Sequence, residues 1–93
     1  MRRIERSSAF RRDFKRITSA PRHRNVPRLL ATVLELLASD RALPARNRDH
    51  RLGGSWLDYR ECHIKPDLLL IYRKPADALY LARLGSHSEL FNK

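Results

Sequence analysis

The sequence predicts an α+β fold in which two antiparallel N-terminal helices pack on an antiparallel β-sheet. Two observations carry this prediction. Apolar residues recur at helical spacing through residues 10–37, and after Gly53 and Gly54 the pattern changes to the alternation typical of strands. No repeat and no Gly- or Ser-rich linker separates the two halves, so we expect residues 1–93 to form one domain with one modest core.

The first helix is predicted to begin at Ser7 or Ser8, both favourable N-cap residues, and to end before Pro21. Its apolar stripe consists of Phe10, Phe14 and Ile17. A brief edge strand is expected before this helix, in residues 2–6, with Ile4 facing inward.

The second helix has the most regular pattern of the chain. Asn25 is a suitable N-cap and Pro27 fits the first turn. The apolar stripe over three turns consists of Val26, Leu29, Leu30, Val33, Leu34 and Leu37. Because the connector between the helices is short, we expect them to be antiparallel. Residues 40–48 then form a basic loop whose arginines are placed to line a site.

Three strands are predicted to follow, in residues 57–65, 68–72 and 78–84. Turns at Pro66 and Pro75 separate them, so we expect a meander of antiparallel strands. In the first strand Glu61 and His63 share a face, which is unusually polar for simple packing. Ser86 and the residue three positions later, Glu89, match a capping box for a short final turn.

The composition favours a polyanionic partner. Twenty Lys and Arg against ten Asp and Glu give a net charge of +10 and a pI near 11. The single cysteine, Cys62, excludes an internal disulfide and fits a reducing compartment, and no signal peptide or membrane span is indicated. We therefore expect a cytoplasmic protein.

Histidines and acidic residues are concentrated in the second half of the chain. The candidate catalytic residues are His50, Glu61, His63, Asp67, Arg83 and His87, and the candidate RNA-binding residues are Arg46, Arg48, Arg51, Lys65 and Phe91. Imidazoles near neutrality donate and accept protons. On a basic protein they suit RNA cleavage, in which a base activates the ribose 2′-OH, an acid protonates the departing oxygen and Arg83 stabilises the phosphorane. We expect no cofactor and no metal site, because the histidines lack paired ligand spacing.

These positions form a pattern that closely resembles the YafQ branch of the RelE-like bacterial toxins, the mRNA interferases of toxin–antitoxin pairs. It consists of Asp49-His50, Leu52, Gly54, Trp56, Arg60-Glu61, His63-Ile64, Pro66-Asp67, Leu70-Ile71-Tyr72, Arg83, Gly85-Ser86-His87 and Leu90-Phe91. The resemblance implies a microbial-RNase-like fold and a ribosome-dependent endoribonuclease that cuts mRNA in the A site of the 70S ribosome without a metal. It also implies a toxin that is monomeric within a hetero-oligomer with its acidic antitoxin.

The resemblance further implies roles for individual residues. The family's catalytic residues match His50, His63, Asp67 and His87, its phosphate-binding Arg matches Arg83, and an aromatic that helps to position mRNA matches Phe91. From the chemistry we expect His87 to be the acid, and His50 or His63, oriented by Asp67, to be the base. The chain departs from the family pattern at Glu61, where Asp is usual, and at Leu68, where Trp is frequent.

Two other functions fit the same composition. A ParE-like toxin directed at gyrase would share the fold but would not require the histidines. A noncatalytic RNA- or ribosome-binding module would require only the charge.

Overall fold

A computed structural model describes residues 1–91 as three α-helices and five β-strands joined by short 3₁₀ turns. The strands are β1 (Arg3–Arg6), β2 (His50–Arg51), β3 (Arg60–Lys65), β4 (Leu68–Arg73) and β5 (Ala78–Gly85). The helices are α1 (Ser8–Thr18), α2 (Val26–Ala38) and α3 (His87–Phe91). The predicted α+β class, both N-terminal helices and the three main strands are confirmed. No helix within residues 1–91 combines the length and apolar character that crossing a bilayer requires.

The five strands form one sheet in the order β1-β5-β4-β3-β2. Strand β1 is the predicted edge strand, but it runs parallel to β5, so the sheet is mixed and the prediction of a wholly antiparallel sheet is wrong at this edge. Tight turns force antiparallel pairing only between strands that follow each other in the chain. No such turn links β1 to β5. Strand β2 was not predicted, because two residues are too few to show an alternation.

The sheet separates two apolar clusters. The larger cluster lies under α1 and α2 and includes Phe10, Ile17, Val26, Leu30, Leu37, Leu70, Tyr72, Leu79 and Leu81. The opposite face is partly covered, because Leu69 and Ile71 are buried beneath α3 and several aromatic side chains. The remainder of that face is open, and the cleft described below lies there.

A buried carboxylate on α1 joins this helix to β5. Asp13 Oδ2 accepts hydrogen bonds from Arg83 Nε at 2.7 Å and from the Leu84 amide at 2.9 Å. Strand β1 pairs with β5 only as far as Leu81. The Asp13 carboxylate therefore accepts from the Leu84 amide, which β1 does not reach. Burial alone would raise the pKa of Asp13, but the hydrogen bonds from Arg83 and Leu84 outweigh it, and the pKa lies below its ordinary value.

We predict that Asp13→Asn destabilises the fold by about 2 kcal/mol near neutral pH, because the amide removes the charge and turns a donor toward other donors. A carboxyl with a lowered pKa contributes stability above its unfolded pKa and loses it as pH falls through the folded value. The difference in unfolding free energy between the unchanged protein and Asp13→Asn should therefore shrink only below pH 3.8, the ordinary pKa of an aspartate. Urea unfolding at several pH values measures it. Asp58→Asn, at an exposed position, is the matched control, and equal losses in both variants would contradict the prediction.

Candidate active site

A cleft of about 570 Å³ opens on the sheet face opposite α1 and α2. The residues that line it are Arg48, His50, Leu52, Glu61, His63, His87 and Phe91. Strand pairing brings three of them together, because His50 on β2 is in register with Glu61 on β3, and Glu61 and His63 are two residues apart on one face. Six of the predicted site residues thus share one cleft.

Glu61 lies at the centre of the cleft wall and is almost fully buried, with 3% of its side chain exposed. Its Oε2 lies 3.1 Å from His50 Nε2 and 4.0 Å from His63 Nε2. Its Oε1 has no hydrogen-bond partner among residues 1–91. Buried polar atoms are nearly always hydrogen-bonded, and the exceptions call for a functional explanation.

The hydrogen bonds of the two imidazoles fix their tautomers. His50 Nδ1 lies 2.8 Å from the carbonyl oxygen of Arg48, and His63 Nδ1 lies 3.1 Å from that of Pro66. A carbonyl oxygen only accepts, so each Nδ1 carries a hydrogen. Each Nε2 is therefore the nitrogen that is available for proton transfer. His50 Nε2 and Glu61 Oε2, 3.1 Å apart, are within the distance at which an imidazole and a carboxylate share a proton.

The segment before β2 is held by side chains from the sheet. Tyr72 donates from its hydroxyl to Asp49 Oδ1 at 2.6 Å, and Arg60 Nε donates to the same oxygen at 3.2 Å. Burial, together with this hydrogen bond, raises the pKa of Tyr72. Buried Asn47 donates to the His63 carbonyl at 2.7 Å. These contacts fix the backbone that carries Arg48 and His50.

Helix α3 delivers the residues on the other side of the cleft. The predicted capping box is present, since the Glu89 amide donates to Ser86 Oγ at 3.2 Å and the Ser86 amide donates to Glu89 Oε1 at 2.8 Å. Arg16 on α1 also donates to Glu89, at 2.7 Å. The rings of His87 and Phe91 then lie 5.1 Å apart between centroids, tilted by 45°.

Gly85 allows α3 to approach the sheet closely. A Cβ at this position would lie 3.1 Å from both Glu89 Oε1 and Leu90 Cδ2. A larger residue would therefore require the side chains of Glu89 and Leu90 to shift by a few tenths of an ångström.

Five predicted site residues lie outside the lining of the cleft. Arg83 is held by Asp13 through Nε and Nη2, which raises the pKa of its guanidinium. Asp67 lines a separate cavity with His23. Lys65 donates to the carbonyl of Arg22 at 3.0 Å. Arg46 and Lys65 lie in a neighbouring groove that shares Arg48 and His63 with the cleft, and Arg51 is exposed on β2.

Sequence reasoning missed the roles of two supporting residues. Tyr72 belongs to the pattern without any polar role, yet its hydroxyl anchors Asp49. Asn47 did not stand out, because a single amide in a loop carries no periodic signal. A signal existed only for Tyr72, since a phenol in a buried strand usually requires a hydrogen-bond partner.

Among residues 1–91, no three His, Cys, Asp or Glu side chains are grouped to hold a metal ion. The chemistry that the cleft itself offers is proton transfer, with two imidazoles around a buried carboxylate and a third imidazole on α3.

Comparison with known proteins gives consistent matches over nearly the whole chain. A family model described as a bacterial toxin of type II toxin–antitoxin systems, YafQ, matches residues 2–92. The mRNA interferase toxin YafQ of Escherichia coli K12 is 37% identical over 88 residues, which cover 95% of this chain and 94% of that protein.

Solved structures with similar sequences share the fold of this chain. A metal-bound toxin from Helicobacter pylori is 42% identical with a TM-score of 0.85, and the match covers 98% of this chain and 100% of that one. The DinJ–YafQ complex of E. coli contains a chain that is 36% identical with a TM-score of 0.81, covering 98% and 99%.

We predict that Glu61→Gln leaves the fold as stable as before or stabilises it by about 1 kcal/mol, because it removes a buried charge whose second oxygen lacks a partner. Chemical denaturation measures the change. Glu35→Gln, on the exposed side of α2, removes the same charge from solvent and should have no effect. A large loss of stability in Glu61→Gln alone would mean that the carboxylate is a structural anchor.

Proposed function

The chain belongs to the YafQ family of type II toxin–antitoxin toxins, and from this premise we propose that it is an endoribonuclease that cleaves mRNA in the A site of the translating ribosome. The observation that carries the proposal is the contact of one buried carboxylate with two imidazoles of fixed tautomer. A ribosomal target implies that the toxin acts in the cytoplasm.

The tautomers suggest a division of roles between the two imidazoles. Glu61 lies closer to His50 than to His63, so in this scheme His50 is the imidazole that carries the proton shared with the carboxylate. His63 then keeps a free lone pair on Nε2 and accepts the proton from the ribose 2′-OH. The 2′ oxygen attacks phosphorus as the bond to the 5′ oxygen breaks, which leaves a 2′,3′-cyclic phosphate. The orienting carboxylate in this scheme is Glu61, in place of Asp67.

The leaving oxygen is protonated by His87, which faces the first two imidazoles across the cleft. Negative charge on the phosphorane is stabilised by the protonated His50 and by Arg48, which lines the same cleft. Arg83 lies outside the cleft lining, and Asp13 occupies its Nε and one hydrogen of its Nη2, so we assign it a supporting role in place of direct phosphate binding. Phe91, whose ring lies beside that of His87, is suited to stack on a base.

The rival functions use less of this arrangement. A gyrase-directed toxin needs no set of imidazoles around a carboxylate, and a noncatalytic RNA-binding module gains nothing from burying Glu61. The charge of +10 supports binding to RNA in general and to rRNA on the ribosome in particular.

We also propose that an acidic antitoxin neutralises the toxin as one partner of a hetero-oligomer in which each toxin chain is a monomer. The E. coli relative forms a complex with the antitoxin DinJ. The high positive charge of this chain makes an acidic segment the natural complement.

We predict that His87→Gln slows mRNA cleavage by about 10²- to 10⁴-fold, the usual contribution of a general acid. The measurement maps mRNA 5′ ends in a translation extract, with and without active translation. His23→Gln is the matched control, because His23 lies outside the cleft. Cleavage that continues at the normal rate in His87→Gln would rule out the acid role, and cleavage independent of translation would rule out the ribosomal target.

We predict that affinity for the antitoxin falls with salt. Raising ionic strength from about 0.1 M to about 1 M shortens the Debye length from about 10 Å to about 3 Å, and the dissociation constant should rise about tenfold or more. Isothermal titration calorimetry measures it, with circular dichroism to verify that both proteins stay folded. A constant affinity would point to an interface dominated by apolar contacts.

A further inference from the structure

A row of aromatic side chains leads away from the cleft along the same face of the sheet. The ring of Phe91 lies 6.3 Å from that of Trp56, and Trp56 lies 5.2 Å from Tyr59 in an edge-to-face arrangement. Tyr80, on β5, continues the row. All four rings are half-buried, so they cover Leu69 and Ile71 while keeping part of their surface in solvent.

Arg73 lies within this row. Its guanidinium carbon is 5.6 Å from the ring centre of Tyr59 and 5.2 Å from that of Tyr80. Register explains the placement, because Arg73 at the end of β4 is paired with Tyr80. Contacts of this kind hold a planar cation in one position without neutralising its charge.

The surroundings of Arg73 differ from those of the other fixed arginines. The arginines that pair with a carboxylate are Arg2, Arg3, Arg16, Arg60 and Arg83. Arg73 makes no ion pair with residues 1–91, and the two rings alone restrain it. A held cation whose donors remain free is suited to an anion with several oxygen acceptors, such as a phosphate.

We propose that Arg73, Tyr59, Tyr80 and Trp56 form a second RNA-binding subsite, continuous with the cleft through Phe91. Arg73 holds a backbone phosphate of a nucleotide beyond the cleaved bond, and the adjoining aromatic rings contact the bases that follow. Single-stranded RNA fits this surface because aromatic rings adjoin a held guanidinium, a combination that supports base stacking and backbone contact together. The inference rests on the proposed function of the cleft as the site of RNA cleavage.

Binding measurements separate the subsite from cleavage. The probes are two fluorescent single-stranded RNAs, a dinucleotide and an oligonucleotide of about ten nucleotides, within the site sizes known for single-strand binding. Titration uses the purified toxin carrying His87→Gln, so that the RNA stays intact. Fluorescence anisotropy gives the affinity for each probe at several salt concentrations.

In this background we expect Arg73→Ala to weaken binding of the longer RNA about tenfold and to reduce its salt slope by about 0.7, the value for one single-strand phosphate contact. Binding of the dinucleotide should not change. Arg73→Lys should recover only part of the loss, because Lys keeps the charge but not the planar stacking. Arg28→Ala, an exposed cation on α2, is the matched control and should have little effect.

Three results would overturn the subsite. If Arg73→Ala and Arg28→Ala weakened binding of the longer RNA equally, the effect would come from the overall positive charge and not from a subsite. An equal loss for both RNA lengths with a lower melting temperature would make Arg73 a structural residue. A loss of antitoxin affinity with unchanged RNA binding would make this surface a protein interface. If the chain cleaves no mRNA but long-RNA binding still depends on Arg73, the proposed function fails and the subsite stands.

Discussion

The burial of Glu61 is the constraint on which the candidate site depends. Removing a carboxylate from water costs several kcal/mol unless charges and hydrogen bonds replace the lost solvation. Here the replacement comes from His50 and, at longer range, His63, and one carboxylate oxygen still lacks a partner in residues 1–91. Such an incompletely satisfied group persists only where the surrounding structure is rigid. The neighbouring strand β4 provides that rigidity, since Leu68 to Tyr72 are all buried.

The chain contains a second buried carboxylate, and the contrast between the two separates structure from function. Asp13 receives hydrogen bonds from Arg16, Arg83 and the Leu84 amide, so its charge is fully compensated and its pKa is lowered. Glu61 has only imidazoles, which exchange protons near neutrality. Two acidic side chains of similar burial therefore differ in what their partners can do. One joins α1 to the sheet, and the other lies among the groups to which we assign proton transfer.

The sequence predicted the parts of this arrangement that depend on periodicity. Alternation along β3 placed Glu61 and His63 on one face, and the capping box at Ser86 predicted where α3 begins. It could not predict the partners of long side chains. Asp67 and Arg83 were assigned to the site, but Asp67 lies at a turn that faces another cavity and Arg83 reaches Asp13, 70 residues away in the chain. The direction of β1 could not be predicted either, because no local turn determines whether it runs parallel or antiparallel to β5.

Glu61, one of the two positions at which the chain departs from the pattern that it resembles, is also the residue that links the imidazoles. His50 is directly opposite Glu61 on the neighbouring strand, where Cβ atoms lie about 5 Å apart, whereas His63 is two residues farther along β3. A carboxylate on a short side chain would remain close to its own strand and face mainly its cross-strand neighbour. The additional methylene of glutamate brings one oxygen to 3.1 Å from His50 and 4.0 Å from His63. The longer side chain thus allows a single oxygen to lie near both imidazoles, and in the mechanism that we propose the unequal distances decide which imidazole acts as the base.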